Sequence, residues 1–171
     1  GSSPLFRFIM GGSWDRNNDV RKGGGALQTP TDGEHRNVMF KSELKPSEDQ
    51  RVVVDVQDIN GLHLKRFYRP TQDNFNDRTA VSLTYRNTGL SLWDIMQVKG
   101  YYQYKKDTRR WFDTGVRGEA ITKTWTADLQ MNNKWKRSVF TYGAAYEMDG
   151  GESPDDEQFT IYYPDGTVRK D

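Results

Sequence analysis

Several features are missing from this sequence, and each absence excludes a class of protein. There is no cysteine, so disulfides, thiolate catalysis and cysteine-type zinc sites are excluded. The formal net charge of +1 is too small to indicate nucleic acid as a partner. No apolar run approaches the roughly 20 residues that a membrane-spanning helix needs. No spacing of serine, histidine and carboxylate residues supports catalysis, so we do not expect an enzyme.

Hydrophobic residues are few, but aromatic residues are many. The 171 residues are 34% hydrophobic, which is lean for a compact water-soluble fold, and 13% aromatic. In a transmembrane β-barrel only every second residue of a strand faces lipid, and aromatic girdles mark both interfaces. A disordered chain would contain fewer aromatic residues. The composition therefore favours a membrane β-barrel.

The clearest strand pattern runs from Ile121 to Glu147. The first half, ITKTWTADLQM, alternates with period 2 and places on one side Trp125, Ala127, Leu129 and Met131. The second half, VFTYGAAYE, does the same with Phe140, Tyr142, Ala144 and Tyr146. The intervening residues are mostly small and polar, which suits a water-filled lumen as well as bulk solvent. The two halves predict an antiparallel hairpin with one apolar face.

The same alternation recurs in five earlier segments. They are residues 5–14, 36–44, 51–57, 78–86 and 95–106. We expect each strand to have about nine to eleven residues, the length that a tilted membrane strand needs. The connections between strands alternate between about four to seven and about a dozen to twenty residues, as in outer-membrane barrels. The chain is predicted to be all-β, with antiparallel up-and-down transmembrane β-barrel strands, short turns on one side and long loops on the other.

A soluble barrel is the alternative. If the run FTIYY near the end forms an eighth strand, the chain could close into a lipocalin-like eight-stranded barrel. Its apolar faces would then point inward and bind a small apolar ligand.

Four stretches resemble successive strands and loops of the TonB-dependent outer-membrane receptors, most closely those that take up haem or haem from haemoglobin. They are DRNNDVRKGGG, HRNVMFKSELKPSEDQRVVVDVQ, NDRTAVSLTYRN and VFTYGAAYEMD. The resemblance spans nearly the whole chain. It implies a barrel of about 22 strands around an N-terminal plug. It also implies long extracellular loops that capture the ligand, and a TonB complex that supplies the energy for import.

About seven strands, no plug and no TonB-box-like segment are present in the sequence. We therefore expect residues 1–171 to be a single barrel region from the middle of a longer receptor, with residues 1–3 a possible cloning remnant. The resemblance implies that the protein lies in the outer membrane, contacts its lipid and has the TonB complex as a partner. The transported ligand would be haem or another iron carrier, with a host haemoprotein as a further possible partner; no resident cofactor is expected.

The candidate ligand-binding residues lie in two predicted loops. The first contains His63 and the cluster Arg66, Phe67, Tyr68 and Arg69; the second contains Arg110 and Trp111. Receptors of the resembled type hold haem iron with an extracellular His or Tyr, which makes His63 or Tyr68 a candidate axial ligand and His63 the candidate metal ligand. Aromatic planes mixed with cations suit a planar ligand that carries carboxylates. A solvated histidine, and an anchor for lipopolysaccharide phosphates, are the competing interpretations.

Overall fold

The structure, a computed structural model, describes residues 5–66, 69–113 and 115–153, together with the backbone of residues 160–162 and 168–170. Seven strands form one antiparallel sheet in up-and-down order. They are β1 (Phe6–Asn17), β4 (Gly33–Ser47), β5 (Gln50–Leu62), β6 (Gln72–Asn87), β7 (Ile95–Trp111), β8 (Arg117–Trp135) and β9 (Ser138–Glu152). Two small hairpins accompany them: β2 (Val20–Arg21) with β3 (Leu27–Gln28), and β10 (Thr160–Tyr162) with β11 (Val168–Lys170). The predicted all-β, up-and-down fold is confirmed.

The strand register places the apolar positions of all seven strands side by side. One row across the sheet consists of Met10, Phe40, Val56, Val81, Tyr102, Trp125 and Met148. A second row, four residues along each strand, consists of Phe6, Leu44, Val52, Tyr85, Val98, Leu129 and Ala144. Because side chains alternate along a strand, these rows lie on one face, called here the apolar face. The part of this face that extends from the row containing Tyr102 to the row containing Val98 is called here the apolar band.

The opposite face, called here the polar face, carries charged and hydroxyl side chains at the same positions along the strands as the apolar band. One of its rows consists of Ile9, Lys41, Asp55, Ser82, Tyr101, Thr126 and Glu147. Ion pairs cross between strands on this face. Glu43 of β4 pairs with Arg7 of β1 at 2.5 Å and also with Arg51 of β5. Two faces of such different polarity predict two different environments.

The sheet is a single layer without a conventional core. Among the described residues, Ala80 is the sole buried hydrophobic residue. Large apolar side chains on the apolar face remain exposed, with Leu83 at 51% and Trp125 at 52%. In the described part of the chain, no helix has the length and apolar character needed to cross a bilayer.

The predicted strand lengths were wrong, because the sheet strands have 12 to 19 residues. The alternation of apolar residues ends at the apolar band, but the backbone ladder continues past it through polar residues such as Lys105 and Arg109. The connections at one end of the sheet are residues 48–49, 88–94 and 136–137, and those at the other end are 18–32, 63–71 and 112–116. The last of these is therefore shorter than the long loop that we expected.

The eight-stranded barrel is not observed either, because the run FTIYY does not form the eighth strand that would close it. Residues Thr160–Tyr162 of the run FTIYY pair with Val168–Lys170 in a separate hairpin, and they do not join the sheet. Phe159 and Tyr163 lie outside the described residues. In the described part of the chain, β1 and β9 each have a strand partner on one side alone.

Candidate ligand-capture site at one end of the sheet

Backbone hydrogen bonds join neighbouring connections at the end of the sheet that carries residues 18–32, 63–71 and 112–116. The Lys65 amide donates to the carbonyl of Asp32 at 3.1 Å, and the Phe112 amide donates to that of Thr71 at 2.8 Å. The Lys65 ammonium also pairs with the Asp32 carboxylate at 3.1 Å. This end of the sheet is therefore a connected unit, called here the loop cluster.

Leu64 folds the β5–β6 connection toward the polar face. Its side chain lies 2.9 Å from where a Cβ would sit on Gly33 and 3.0 Å from where one would sit on Gly61. Both glycines occupy polar-face positions, in β4 and β5. A larger residue at either position would displace Leu64 because so little space separates them.

Buried polar side chains at the start of β6 hold this connection in place. Gln72, Asp73 and Asn74 are almost completely buried. The Gln72 amide donates to Asn74 Oδ1 at 3.0 Å, and the Asn74 amide donates to the carbonyl of Leu64 at 2.7 Å. Arg69 in turn donates to Gln72 Oε1 at 3.2 Å. Since buried amides are costly unless they are hydrogen-bonded, these bonds hold Leu64 and Arg69 against the start of β6.

His63 is held from two sides at the exit of β5. Its Nδ1 lies 2.7 Å from Asp73 Oδ2, and its ring meets Phe75 edge-on at 5.1 Å between centroids. Because a carboxylate accepts hydrogen bonds, the imidazole donates to it through Nδ1–H. The side chain is 61% exposed although Asp73 is 2% exposed, and Nε2 has no partner among the described residues. This arrangement presents an oriented imidazole with its Nε2 edge at the surface.

The other predicted site residues lie in different parts of the structure. Arg66 and Arg69 form a small bridge in the β5–β6 connection, where the Arg69 amide donates to the carbonyl of Arg66 at 2.9 Å. Phe67 and Tyr68 lie outside the described residues. The placement of Arg110 and Trp111 in a loop was wrong, because both belong to β7. Strand alternation puts them on opposite faces, so they do not form one cluster.

Arg110 instead lines a groove on the apolar-face side of the sheet, beyond the apolar band. This groove, called here the rim groove, has a volume of about 280 Å³ and is lined by Phe75, Asp77, Lys106, Thr108, Arg110 and Arg117. Beside it, Glu119 pairs with Lys106 at 2.9 Å and with Arg117 at 2.5 Å. Sequence analysis missed Phe75, Lys106 and Arg117 at this site. A period-2 count continued past Tyr104 would have put Lys106 and Arg110 on one face.

Trp111 lies on the polar face with Arg109, in a shallow groove that also includes Asp107 and Ala120. A second polar-face groove of about 450 Å³ lies at the height of the apolar band, between β7 and β8. It is lined by Gln97, Lys99, Tyr101, Thr126 and Asp128. These side chains are hydrogen-bonding groups of both charges, which suit contact with water or a polar segment.

Metal binding by side chains of the chain alone has little support in the described residues. They contain no group of three or more histidine, aspartate or glutamate side chains that could hold a metal ion. His63 with Asp73 therefore provides a single nitrogen and its supporting carboxylate. This is enough for an axial ligand to an iron that a porphyrin already holds, but not for a protein-only metal centre.

Comparison with known proteins supports the fold alone. No protein-family model and no curated protein sequence matches the chain. A solved structure, described as "Copper transporter OprC", superposes with a TM-score of 0.78 at 13% sequence identity. The match covers 99% of this chain and 27% of the OprC chain, so this chain spans about a quarter of that protein.

Proposed function

We propose that this chain is a section of a TonB-dependent transport barrel in the outer membrane, with haem or another iron source as its substrate. The observation that carries the proposal is the continuous apolar face formed by seven strands whose large side chains remain exposed. Such a face is stable against lipid, where apolar side chains cost nothing to expose. A water-soluble sheet would cover it.

The polar face then lines the lumen. Its cross-strand ion pairs, such as Arg7 with Glu43, keep charges paired in a confined space. The edges of the sheet support membership of a longer barrel. An unpaired strand edge in lipid costs several kcal/mol per unsatisfied backbone group. Further strands therefore pair with β1 and β9, and the barrel closes around them.

Ligand capture belongs to the loop cluster, which lies beyond the apolar band. His63 supplies the axial ligand to haem iron, and Asp73 orients its ring so that Nε2 faces outward. Arg66 and Arg69 are the neighbouring cations for the carboxylates of the ligand. Energy for import comes from the TonB complex, a partner inferred from the family resemblance, and the chain performs transport without catalysis.

Haem titration of the intact receptor, followed by its visible absorption spectrum, tests this assignment. We expect His63→Ala to weaken haem binding at least about tenfold and to change the iron ligation spectrum. Asp73→Ala should weaken binding by a similar factor, because the ring loses its orienting acceptor. His35→Ala is the matched control, since His35 is the other histidine and lies on β4.

Two results would contradict the proposal. Equal haem binding by the wild-type receptor and His63→Ala would remove His63 from the site. If the receptor bound copper ions and no haem, copper would replace haem as the proposed substrate, in line with the copper transporter that this chain resembles in fold.

A further inference from the structure

We propose that the rim groove binds the phosphate group of an acidic lipid in the outer leaflet of the membrane. This inference rests on the proposed membrane location, but it concerns a site separate from ligand capture. It assigns Lys106, Arg110 and Arg117 to the lipid and removes Arg110 from the candidate ligand-binding residues.

The groove lies at the outer side of the headgroup layer. On β7, Tyr102 lies in the last row of the apolar band, Tyr104 follows on the same face, and Lys106 comes next. Lys106 is therefore four residues beyond the band, about 14 Å along the strand or about 10 Å along the membrane normal for a strand tilted by about 45°. The polar headgroup layer is itself about 5–8 Å thick on each side of the bilayer. The long side chain of Lys106 can extend back into that layer, whereas Arg110 lies farther out.

The charge of the groove suits a phosphate. Three cations line the groove against two carboxylates, Asp77 in its lining and Glu119 beside it. Glu119 bridges Lys106 and Arg117 and so holds both cations at the groove. Arg110 makes no ion pair with any described residue, and its planar guanidinium can form two parallel hydrogen bonds to a phosphate. Phe75 adds an apolar wall beside these cations.

The opposite face of β7 offers a control with the same chemistry. Lys105 and Arg109 are the chain neighbours of Lys106 and Arg110, but alternation puts them on the polar face. A membrane lipid cannot reach that face when it lines a lumen. Removing either pair of charges changes the net charge equally, so a difference between the pairs reports position.

The test is a titration of the intact receptor in detergent with diphosphorylated lipid A, measured by native mass spectrometry. We expect the double variant Lys106→Gln with Arg110→Gln to bind lipid A about ten- to thirty-fold more weakly than wild type. Lys105→Gln with Arg109→Gln should bind like wild type. Lipid A stripped of its phosphates should bind weakly to all three proteins, and inorganic phosphate should not compete at millimolar concentration.

Several outcomes would overturn the inference. Equal loss in the two double variants would show that net charge, and not the groove, attracts the lipid. Competition by inorganic phosphate would assign the groove to a free anion. Loss of haem binding in the Lys106 and Arg110 variant would assign it to the transported ligand. A receptor that folds without detergent would instead refute the proposed function. This result differs from the three above, so failure of the lipid site and failure of the proposed function can be distinguished.

Discussion

Glu119 lies between two cations at the edge of the rim groove, outside the apolar band. The hydrogen bond from Lys106 lowers the pKa of Glu119 below its usual value, and the charge of Arg117 lowers it further, whereas partial burial opposes the shift. A carboxyl group with a lowered pKa in the folded state stabilises the fold above its unfolded pKa, about 4.3. That contribution is lost as the pH falls through the lower, folded pKa.

We therefore expect Glu119→Gln to destabilise the protein near neutral pH, with a difference from wild type that shrinks as the pH falls below the unfolded pKa of about 4.3. Urea unfolding of the intact protein at several pH values, followed by tryptophan fluorescence, measures this difference. Glu147→Gln is the control, since Glu147 makes no ion pair with a described residue. A difference that stays constant over the whole pH range would contradict the assigned role of Glu119.

The pairing of β8 with β9 depends on one close backbone approach. A Cβ added to Gly143 would lie 1.9 Å from the carbonyl oxygen of Leu129. Backbone cannot move aside as a flexible side chain can, so any side chain at this position forces the two strands apart. The glycine at position 143 is thus a requirement of this strand pair.

At the level of this strand pair, we expect Gly143→Ala to cost about 1–3 kcal/mol of unfolding free energy. The control is Gly150→Ala in the same strand, where the nearest atom lies 3.9 Å from the added Cβ. Unfolding curves of the two variants in detergent give the comparison. If both variants lost the same unfolding free energy, the close backbone approach at Gly143 would not contribute to the cost of the substitution.

For the molecule as a whole, the decisive question is which face meets lipid. Leu129 and Thr126 lie on β8 three residues, or about 10 Å, apart and on opposite faces, so they meet different environments within the same stretch of the strand. In a barrel wall the apolar face meets hydrocarbon and the polar face meets the lumen.

Leu129→Arg should therefore destabilise the inserted protein by about 2–4 kcal/mol or block insertion, whereas Thr126→Arg should be tolerated. Refolding into lipid vesicles, followed by urea titration, distinguishes the two variants. Equal damage from both substitutions would mean that the two faces have been assigned to the wrong environments.

Residue patterns along the chain were enough to predict the secondary structure class and the two faces of each strand. Period-2 alternation is a local property, so the apolar set of β8 from Trp125 to Met131 could be read without knowledge of its neighbours. The same locality explains the errors in strand length. Beyond Tyr104 the residues are polar on both faces, and no alternation marks how far the backbone ladder continues.

Which of those residues come into contact could not be predicted from such local patterns. The contact of His63 with Asp73 joins residues on either side of a connection, and the rim groove collects side chains from three strands. Both depend on the register between strands, which is set by the whole hydrogen-bonded ladder and not by any one segment. The register thus brings Lys106 of β7 and Arg117 of β8 to one groove, whereas Arg110 and Trp111 lie on opposite faces because both belong to β7.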